Sequence, residues 1–276
     1  MNRIYMLSGF LAVTWILSLP SYGCADGDNP PVGARAAGMA NASVTFTGSW
    51  AAFSNQAGLA FLEKTGLGVH HENAFMVKEM ALKAGMIAVP VNFGTLALDA
   101  SYFGYSRYNR TKIGLAYGRK LGKKIAAGIQ LDYFSEYTAD QRTRFNAFTF
   151  EGGVLVKLSD NLDLAAHVFN PANIGYQGRQ GASPEPEIRI GMGTRKIENF
   201  LLTVEAGKSL RGKPVYRVGA EYSIRKFLFL RTGLSTNPLL NTFGLGLNVR
   251  KVQIDMAFSR HNTLGYSPYL SLGYTF

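Results

Sequence analysis

The sequence predicts an all-β fold, a transmembrane antiparallel β-barrel of about fourteen strands with an N-terminal hatch, or plug, inside it. Three observations support this prediction. Segments that alternate apolar and polar residues repeat from Thr65 onward, a non-alternating stretch precedes them, and the last strand ends on an aromatic residue. The predicted organisation is a signal peptide over 1–25, a hatch over 26–64 and the barrel over 65–276.

The first element is a secretory signal peptide. An apolar run from Ile4 to Leu19 follows a basic residue, and small side chains at Gly23 and Ala25 predict cleavage before Asp26. In an alternative interpretation, Cys24 becomes the lipidated first residue of a lipoprotein. If cleavage falls before Asp26, the mature chain has no cysteine and therefore no disulfide or thiolate chemistry.

The second element, 26–64, does not alternate and is the candidate occupant of the barrel. It is rich in alanine, has few charges and is interrupted by glycines, which suits a compact plug of turns with a short helix near 49–54. A plug in a narrow lumen would explain why so many lumen positions of the strands are Gly or Ala.

The third element is the barrel, in which short and longer connections are expected to alternate without exception. The short ones are expected at 91–94, 121–124, 159–161, 196–199, 225–226 and 250–251, and the longer ones at 71–78, 106–110, 137–144, 170–187, 210–214, 236–241 and 260–267. Short turns of bacterial barrels face the periplasm. We therefore expect the outer membrane of a Gram-negative bacterium, with the C-terminus on the periplasmic side.

The strand faces distinguish a membrane barrel from a soluble β-sandwich, which the final strand alone would also allow. In the segment from Phe243 to Arg250, apolar side chains occupy one face, and the other carries Gly, Asn and Arg. Small residues on a water-facing surface have no packing purpose, whereas on an inward face they leave room for a plug. The final strand places Leu272, Tyr274 and Phe276 towards lipid, and these three residues form the predicted signal for the barrel assembly machinery.

Charged residues on the predicted lumen faces alternate in sign from strand to strand. They form a candidate network made of Arg189, Glu205, Arg217, Glu221 and Arg231. Buried charges are costly unless they are paired, so we expect this network to brace barrel and plug, with a polar lining for a solute as the alternative. Four further carboxylates are expected to anchor hatch amides, namely Asp99, Asp132, Glu151 and Asp255.

Catalytic and metal chemistry find little support in the sequence. His70 and His71 point to opposite strand faces, which is poor geometry for one metal ion, and no set of serine, histidine and acid suggests a hydrolase. We therefore predict no enzyme activity, no metal and no cofactor. The net charge of +11 suggests anionic outer-leaflet lipid or simple solubility rather than nucleic acid, because an exported chain seldom meets nucleic acid.

Two stretches of the hatch, 33–44 and 50–60, resemble the N-terminal hatch of the FadL and PorV/PorQ superfamily. The hatch motif is formed by Gly33, Arg35, Gly38, Asn55 and Gly58. The resemblance implies a fourteen-stranded plugged barrel and covers the whole mature chain. Two residues depart from the pattern: Ala40 replaces a usual glycine, and Gln56 replaces a proline, which is expected to loosen the closing turn.

Two functions follow from this resemblance. The first is a PorV/PorQ-like accessory or docking subunit associated with protein secretion or surface assembly, which the short loops favour. The alternative is a FadL-like passive conduit for small hydrophobic molecules, which would enter through the hatch and leave sideways. The expected partners are outer-membrane lipid, the assembly machinery, and either secretion-system proteins or a hydrophobic ligand, with no nucleic acid. An apolar pocket between hatch and barrel wall would favour the conduit.

Overall fold

A computed structural model of the chain describes residues 29–140, 142–179 and 181–276. Fourteen antiparallel strands form one closed barrel, in which each strand pairs with its neighbours in sequence and β1 pairs with β14. The strands are β1 Gly66–Asn73, β2 Ala81–Val91, β3 Gly94–Gly104, β4 Tyr108–Lys120, β5 Ile125–Thr138, β6 Thr143–Ser159, β7 Leu162–Phe169, β8 Glu187–Thr194, β9 Phe200–Ser209, β10 Val215–Arg225, β11 Leu228–Ser235, β12 Leu240–Val249, β13 Val252–His261 and β14 Gly265–Thr275.

Among the described residues the helices are few and short. One α-helix, α1, spans Ala34–Ala37, and 3₁₀ helices span Ser49–Phe53, Gln56–Phe61, Ala74–Met76 and Lys78–Met80. Within the described residues, no helix combines the length and apolar character needed to cross a membrane. The predicted signal peptide lies outside the described residues.

The two faces of the strands differ as a membrane barrel requires. Outward side chains form an exposed apolar surface around the barrel, which includes Leu115, Leu131 and Phe148 at 56%, 64% and 63% exposure. In β14, Leu270, Leu272 and Tyr274 are exposed, whereas Ser271 on the opposite face is buried. In water this surface would be unfavourable, but against lipid it is the expected exterior.

The lengths of the connections differ from the strict alternation expected from the sequence. At the end of the barrel that holds Phe276, here called the turn end, the connections are 92–93, 121–124, 160–161, 195–199, 226–227 and 250–251; at the opposite loop end they are 74–80, 105–107, 139–142, 170–186, 210–214, 236–239 and 262–264. The prediction of strict alternation is wrong, because strand pairing at the loop end continues to Gly104↔Asn109 and His261↔Gly265.

Residues that precede β1 fill much of the lumen. Ala51, Ala52 and Leu59 are buried against alanines of β2, β3 and β4, namely Ala88, Ala97 and Ala116. These wall alanines present only a methyl group, so the 3₁₀ helices can pack directly against the strands. The core of the molecule is therefore the contact between this inner segment and the barrel wall.

Candidate functional site

The hatch begins with α1, and two glycines let it sit between Trp50 and the wall. Gly33 precedes the helix with φ 126°, a conformation that favours glycine. A Cβ at Gly33 would also lie 3.4 Å from the Trp50 ring. Gly38 ends the helix against the backbone of β12, where an added Cβ would lie 3.1 Å from the Cα of Gly244. The two motif glycines that flank α1 therefore occupy positions with little space for a side chain.

The closing turn of the hatch is organised by Asn55 and Gly58. The Asn55 amide donates to the carbonyl oxygens of Val44, at 2.9 Å, and of Val154 in β6, at 3.2 Å, and its own oxygen accepts from the Ala57 amide. A Cβ at Gly58 would overlap the carbonyl oxygen of Phe46. Asn55 thus joins two parts of the hatch to the wall through one side chain.

Gln56 does not leave the closing turn loose. Its side chain is fully buried, and its amide donates to the carbonyl oxygen of Ala52 at 3.1 Å and to Gln130 of β5 at 3.3 Å. These bonds fix the turn where the resemblance expects proline, so the expectation of a loosened turn is wrong.

Backbone amides of the hatch donate hydrogen bonds to hydroxyl groups and to one carboxylate of the barrel wall. Glu205 of β9 accepts from the backbone amides of Ser43 and Val44 at 3.0 and 2.9 Å. The Ala34 amide donates to the Ser271 hydroxyl at 2.8 Å, and Thr242 bonds both the Ala40 amide and the Gly38 carbonyl at 3.0 Å. The hydroxyls of Thr242 and Ser271 belong to ordinary alternating strands, so nothing in the sequence marks them.

The structure places the five residues of the candidate charge network in two groups. In the first group, Glu205 lies 3.3 Å from the Arg217 guanidinium and 3.5 Å from that of Arg189, and all three side chains are buried. Arg189 also donates to the carbonyl oxygen of Ser54 in the hatch. One carboxylate therefore faces two buried cations and two hatch amides.

The second group joins the hatch to β10, β11 and β13. Arg35 donates to both oxygens of Glu221, at 2.9 and 2.7 Å, and Arg231 bonds Glu221 and Asp255 at 2.6 Å each. Burial lowers the pKa of the Arg35 guanidinium and attraction to Glu221 raises it, with a net shift above its ordinary value. Arg35 of the hatch motif therefore enters the lumen network as a fixed positive charge.

A third polar group, which sequence reasoning missed as a unit, lies on β4 to β7. Lys112 donates to Glu151 at 2.7 Å and lies 3.3 Å from Asp132, and His167 is 2.8 Å from the other Glu151 oxygen. Asn29 of the inner segment bonds both Lys112 and Glu151. Only the register of the paired strands brings these residues together.

The expectation that four further carboxylates anchor hatch amides is confirmed for Glu151, which accepts from the side-chain amide of Asn29 at 3.2 Å. Among the described residues it is wrong for the other three. Asp255 bonds Arg231 and Gln253, and Asp132 bonds Gln130 and Thr149, all of them wall residues. Asp99 is buried on β3, and its two carboxylate oxygens make no hydrogen bond within the described part of the chain.

A cavity of about 380 Å³ separates the inner segment from the wall at the loop end. Its floor includes Pro30, Pro31, Val32 and Phe53, and its walls come from the loop-end halves of the strands. The wall is mixed: it has apolar side chains at Leu82, Phe103, Phe134, Leu240 and Tyr269, and polar or charged ones that include Glu72, Ser101, Arg110 and Lys112. The volume lies in the range of small-molecule sites, which are mostly apolar with a few polar groups.

A second cavity, of about 180 Å³, lies on the turn-end side of the hatch. Trp50 and Leu62 line it together with polar residues that include Asp255 and Thr275. Val32 and Gly33 line both cavities. This short segment of the hatch therefore separates the two cavities.

The predicted assembly signal lies outside the lumen. Phe276 is 57% exposed, its amide donates to the Thr65 carbonyl oxygen at 3.0 Å, and its ring meets that of Tyr274 edge to face at 5.0 Å. Leu272 is also exposed. The role of these residues in assembly stays a prediction.

Metal ligation has no candidate cluster within the described residues. His70 is buried, and its ring nitrogen lies 2.8 Å from the Ser271 hydroxyl, whereas the next residue, His71, is exposed on the other face. Because their side chains lie on opposite faces of β1, the two histidines cannot bind the same metal ion.

No family model matches the chain, and no curated protein matches its sequence. The fold is similar to those of three solved barrels. The toluene transporter TbuX of Ralstonia pickettii has a TM-score of 0.65, with 12% identity over 90% of this chain and 99% of that chain. The toluene transporter TodX of P. putida has a TM-score of 0.68 at the same identity and coverage. A FadL homologue of Pseudomonas aeruginosa has a TM-score of 0.59, with 12% identity over 93% and 99%.

These similarities concern the fold. They confirm the fourteen-stranded closed barrel and the resemblance to FadL-type barrels at the level of architecture. The architecture is that of outer-membrane β-barrels of Gram-negative bacteria.

Proposed function

We propose that the chain is a passive, non-catalytic conduit for small hydrophobic molecules across the outer membrane, with its C-terminus in the periplasm. The observation that supports this most strongly is the cavity of about 380 Å³ between hatch and wall. A subunit that only docked other proteins would have no need of an apolar space in its lumen. The three barrels of similar fold include two transporters of toluene. The short loops, which favour the PorV/PorQ-like accessory function, do not account for the cavity.

The lining favours an uncharged ligand. Two cations among the described residues line the cavity, Lys112 and Arg110, and both face acids. The Lys112 ammonium group is bound by Glu151, Asp132 and Asn29, and the Arg110 guanidinium lies 3.9 Å from Glu136. A carboxylate ligand would have to compete with these buried acids for either cation, which is costly in a site with little water. Aromatic side chains such as Phe53, Phe134 and Tyr269 instead offer ring faces and edges to an apolar, planar molecule.

We propose that the route runs along the barrel axis. Val32 and Gly33 border the cavities on both sides of the hatch, so displacement of this segment would join the two spaces. The sideways exit implied by the resemblance has no matching feature in the described strands. Pairing there shifts register only near Ser223 and Lys157, close to the turn end, and not beside the larger cavity.

One pair of variants tests the conduit. Ser101 lines the cavity, whereas Ser106 is exposed in the 105–107 connection of the same hairpin. Ser101→Trp should fill much of the space and lower the uptake of radiolabelled toluene by cells at least about fivefold. Ser106→Trp adds the same ring outside the lumen and should leave uptake unchanged.

Assembly of both variants is checked by heat-modifiable mobility in gels. Uptake by the wild-type protein that does not exceed uptake by cells lacking it would contradict the proposal. So would equal uptake by Ser101→Trp and wild type, because the cavity would then not lie on the route.

A further inference from the structure

Three consecutive turns at the turn end each carry two adjacent basic residues. These six residues, all exposed, form what we call the basic arc: Arg195, Lys196, Arg225, Lys226, Arg250 and Lys251. The strands follow one another in sequence order around the closed barrel, so the three turns are neighbours along its rim. Two strand spacings separate successive turns, which places them roughly 10 Å apart.

Little negative charge offsets the arc. Arg195 pairs with Asp163 at 2.8 Å, and Glu198 is an exposed acid in the same turn. Among the described residues, the other five members of the arc form no ion pair within 4.0 Å. Their charges are therefore available to an external anion.

Apolar side chains of the same turns continue the lipid-facing surface up to the arc. Ile197 is 66% exposed and Phe227 45%, and each directly follows a basic residue. Ile224 immediately precedes the pair Arg225 and Lys226, and Val249 immediately precedes the pair Arg250 and Lys251; both are exposed apolar residues. Long basic side chains beside such residues keep their stems against apolar groups while the charged ends reach the headgroup region.

We infer that the basic arc binds the anionic headgroups of phospholipids of the phosphatidylglycerol type, in the leaflet that surrounds the turn end. The charge sign and the regular spacing suit a row of phosphate groups. The exposed Ile197, Phe227 and Val249 favour a membrane over a soluble acidic protein, because one of them would insert at the acyl boundary beside each basic pair. The arc lies at the opposite end from the larger cavity, so this role is independent of the proposed conduit.

The test measures lipid selectivity of the full protein in vesicles of phosphatidylcholine. Spin-labelled phosphatidylglycerol and spin-labelled phosphatidylcholine are compared by the fraction of each that the protein immobilises. The arc variant carries Lys196→Gln, Lys226→Gln, Arg250→Gln and Lys251→Gln. The matched control removes four exposed basic charges near the loop end, through Lys78→Gln, Lys83→Gln, Lys213→Gln and Arg260→Gln.

The wild-type protein should prefer phosphatidylglycerol at least about fivefold, since one basic residue near an anionic headgroup gives roughly that factor. The preference should fall close to parity in the arc variant, persist in the control and weaken as salt is added.

Equal immobilisation of the two lipids by the wild-type protein would overturn the inference and leave a soluble acidic protein as the better partner for this surface. Equal loss of preference in the arc and control variants would overturn it as well. If the arc variant does not assemble, the salt series on the wild-type protein decides: a preference that does not change with salt overturns the inference.

Discussion

The same alternating strands line the whole lumen, yet the part that holds the 3₁₀ helices is closely packed and the loop-end part holds the larger of the two described cavities. Where the 3₁₀ helices lie, wall positions carry glycine and alanine. A Cβ at Gly128 would overlap the backbone of Gln56, and one at Gly153 would overlap the side chain of Asn55. At the loop end, inward positions carry larger rings such as Phe103, Phe134 and Tyr269, and a cavity of about 380 Å³ remains between them.

This difference separates two tasks along one barrel. Small inward residues let the hatch approach the strands closely enough for direct hydrogen bonds, so the packed part closes the lumen. In the described part of the chain, the hatch does not fill the loop-end part, which keeps a cavity the size of a small ligand. The size of the inward residues therefore determines which part of the lumen the hatch closes and which part can hold a ligand.

Removal of the hatch should have the largest effect on the difference between the two parts of the lumen. The intact protein is expected to conduct ions poorly in planar bilayers, because the inner segment fills the packed part of the lumen. A protein lacking residues 26–64 should give large, steady conductance, since an empty barrel of fourteen strands is a wide pore. Assembly of the shortened protein is checked by heat-modifiable mobility, and strong conductance by the wild-type protein would contradict the account.

Loss of a buried charge in the packed part should have the next largest effect. Glu205→Ala removes the carboxylate that faces the buried Arg189 and Arg217, and it also removes the acceptor of two hatch amides. We expect a loss of about 3–5 kcal/mol in the free energy of unfolding, measured with urea in lipid vesicles. Glu198→Ala, in the exposed turn before the same strand, should change it by less than about 0.5 kcal/mol. Equal losses would show that Glu205 does not brace the hatch.

A single added methyl group should show how closely the hatch packs against the wall. Gly128→Ala places a Cβ against the Gln56 backbone and should cost about 1–3 kcal/mol of unfolding free energy through overpacking. Gly85→Ala is the control, because the nearest atom to its Cβ, the Gly68 carbonyl oxygen, would lie at 3.5 Å, an ordinary contact. Similar unfolding free energies of the two variants would mean that the packed part accommodates an added methyl group without strain.

The fold could be predicted because a barrel repeats one simple pattern. Period-two alternation indicates strands, and the exposed apolar face of β14 lies where that alternation places it. The lengths of the connections could not be predicted, because pairing at the loop end depends on cross-strand neighbours. Asn109, for example, belongs to a strand because it pairs with Gly104 on one side and with Tyr137 on the other.

The site was less accessible to sequence reasoning. Alternation predicts that Glu221 faces the lumen, but its partner Arg35 lies 186 positions away and meets it only when the hatch is in place. The sequence gives even less indication of the cavity, because the cavity is a volume left between the hatch and the wall. Phe53 and Tyr269 line it without any shared motif.

The most direct test of the central claim is to locate a bound apolar ligand. Crystals of the protein would be soaked with bromobenzene, and the anomalous scattering of bromine would mark its position. The account predicts a site in the loop-end cavity, in contact with the rings of Phe53 and Tyr269 and lost in Ser101→Trp crystals. Bromine found only on the outer, lipid-facing surface, with the cavity empty, would contradict it.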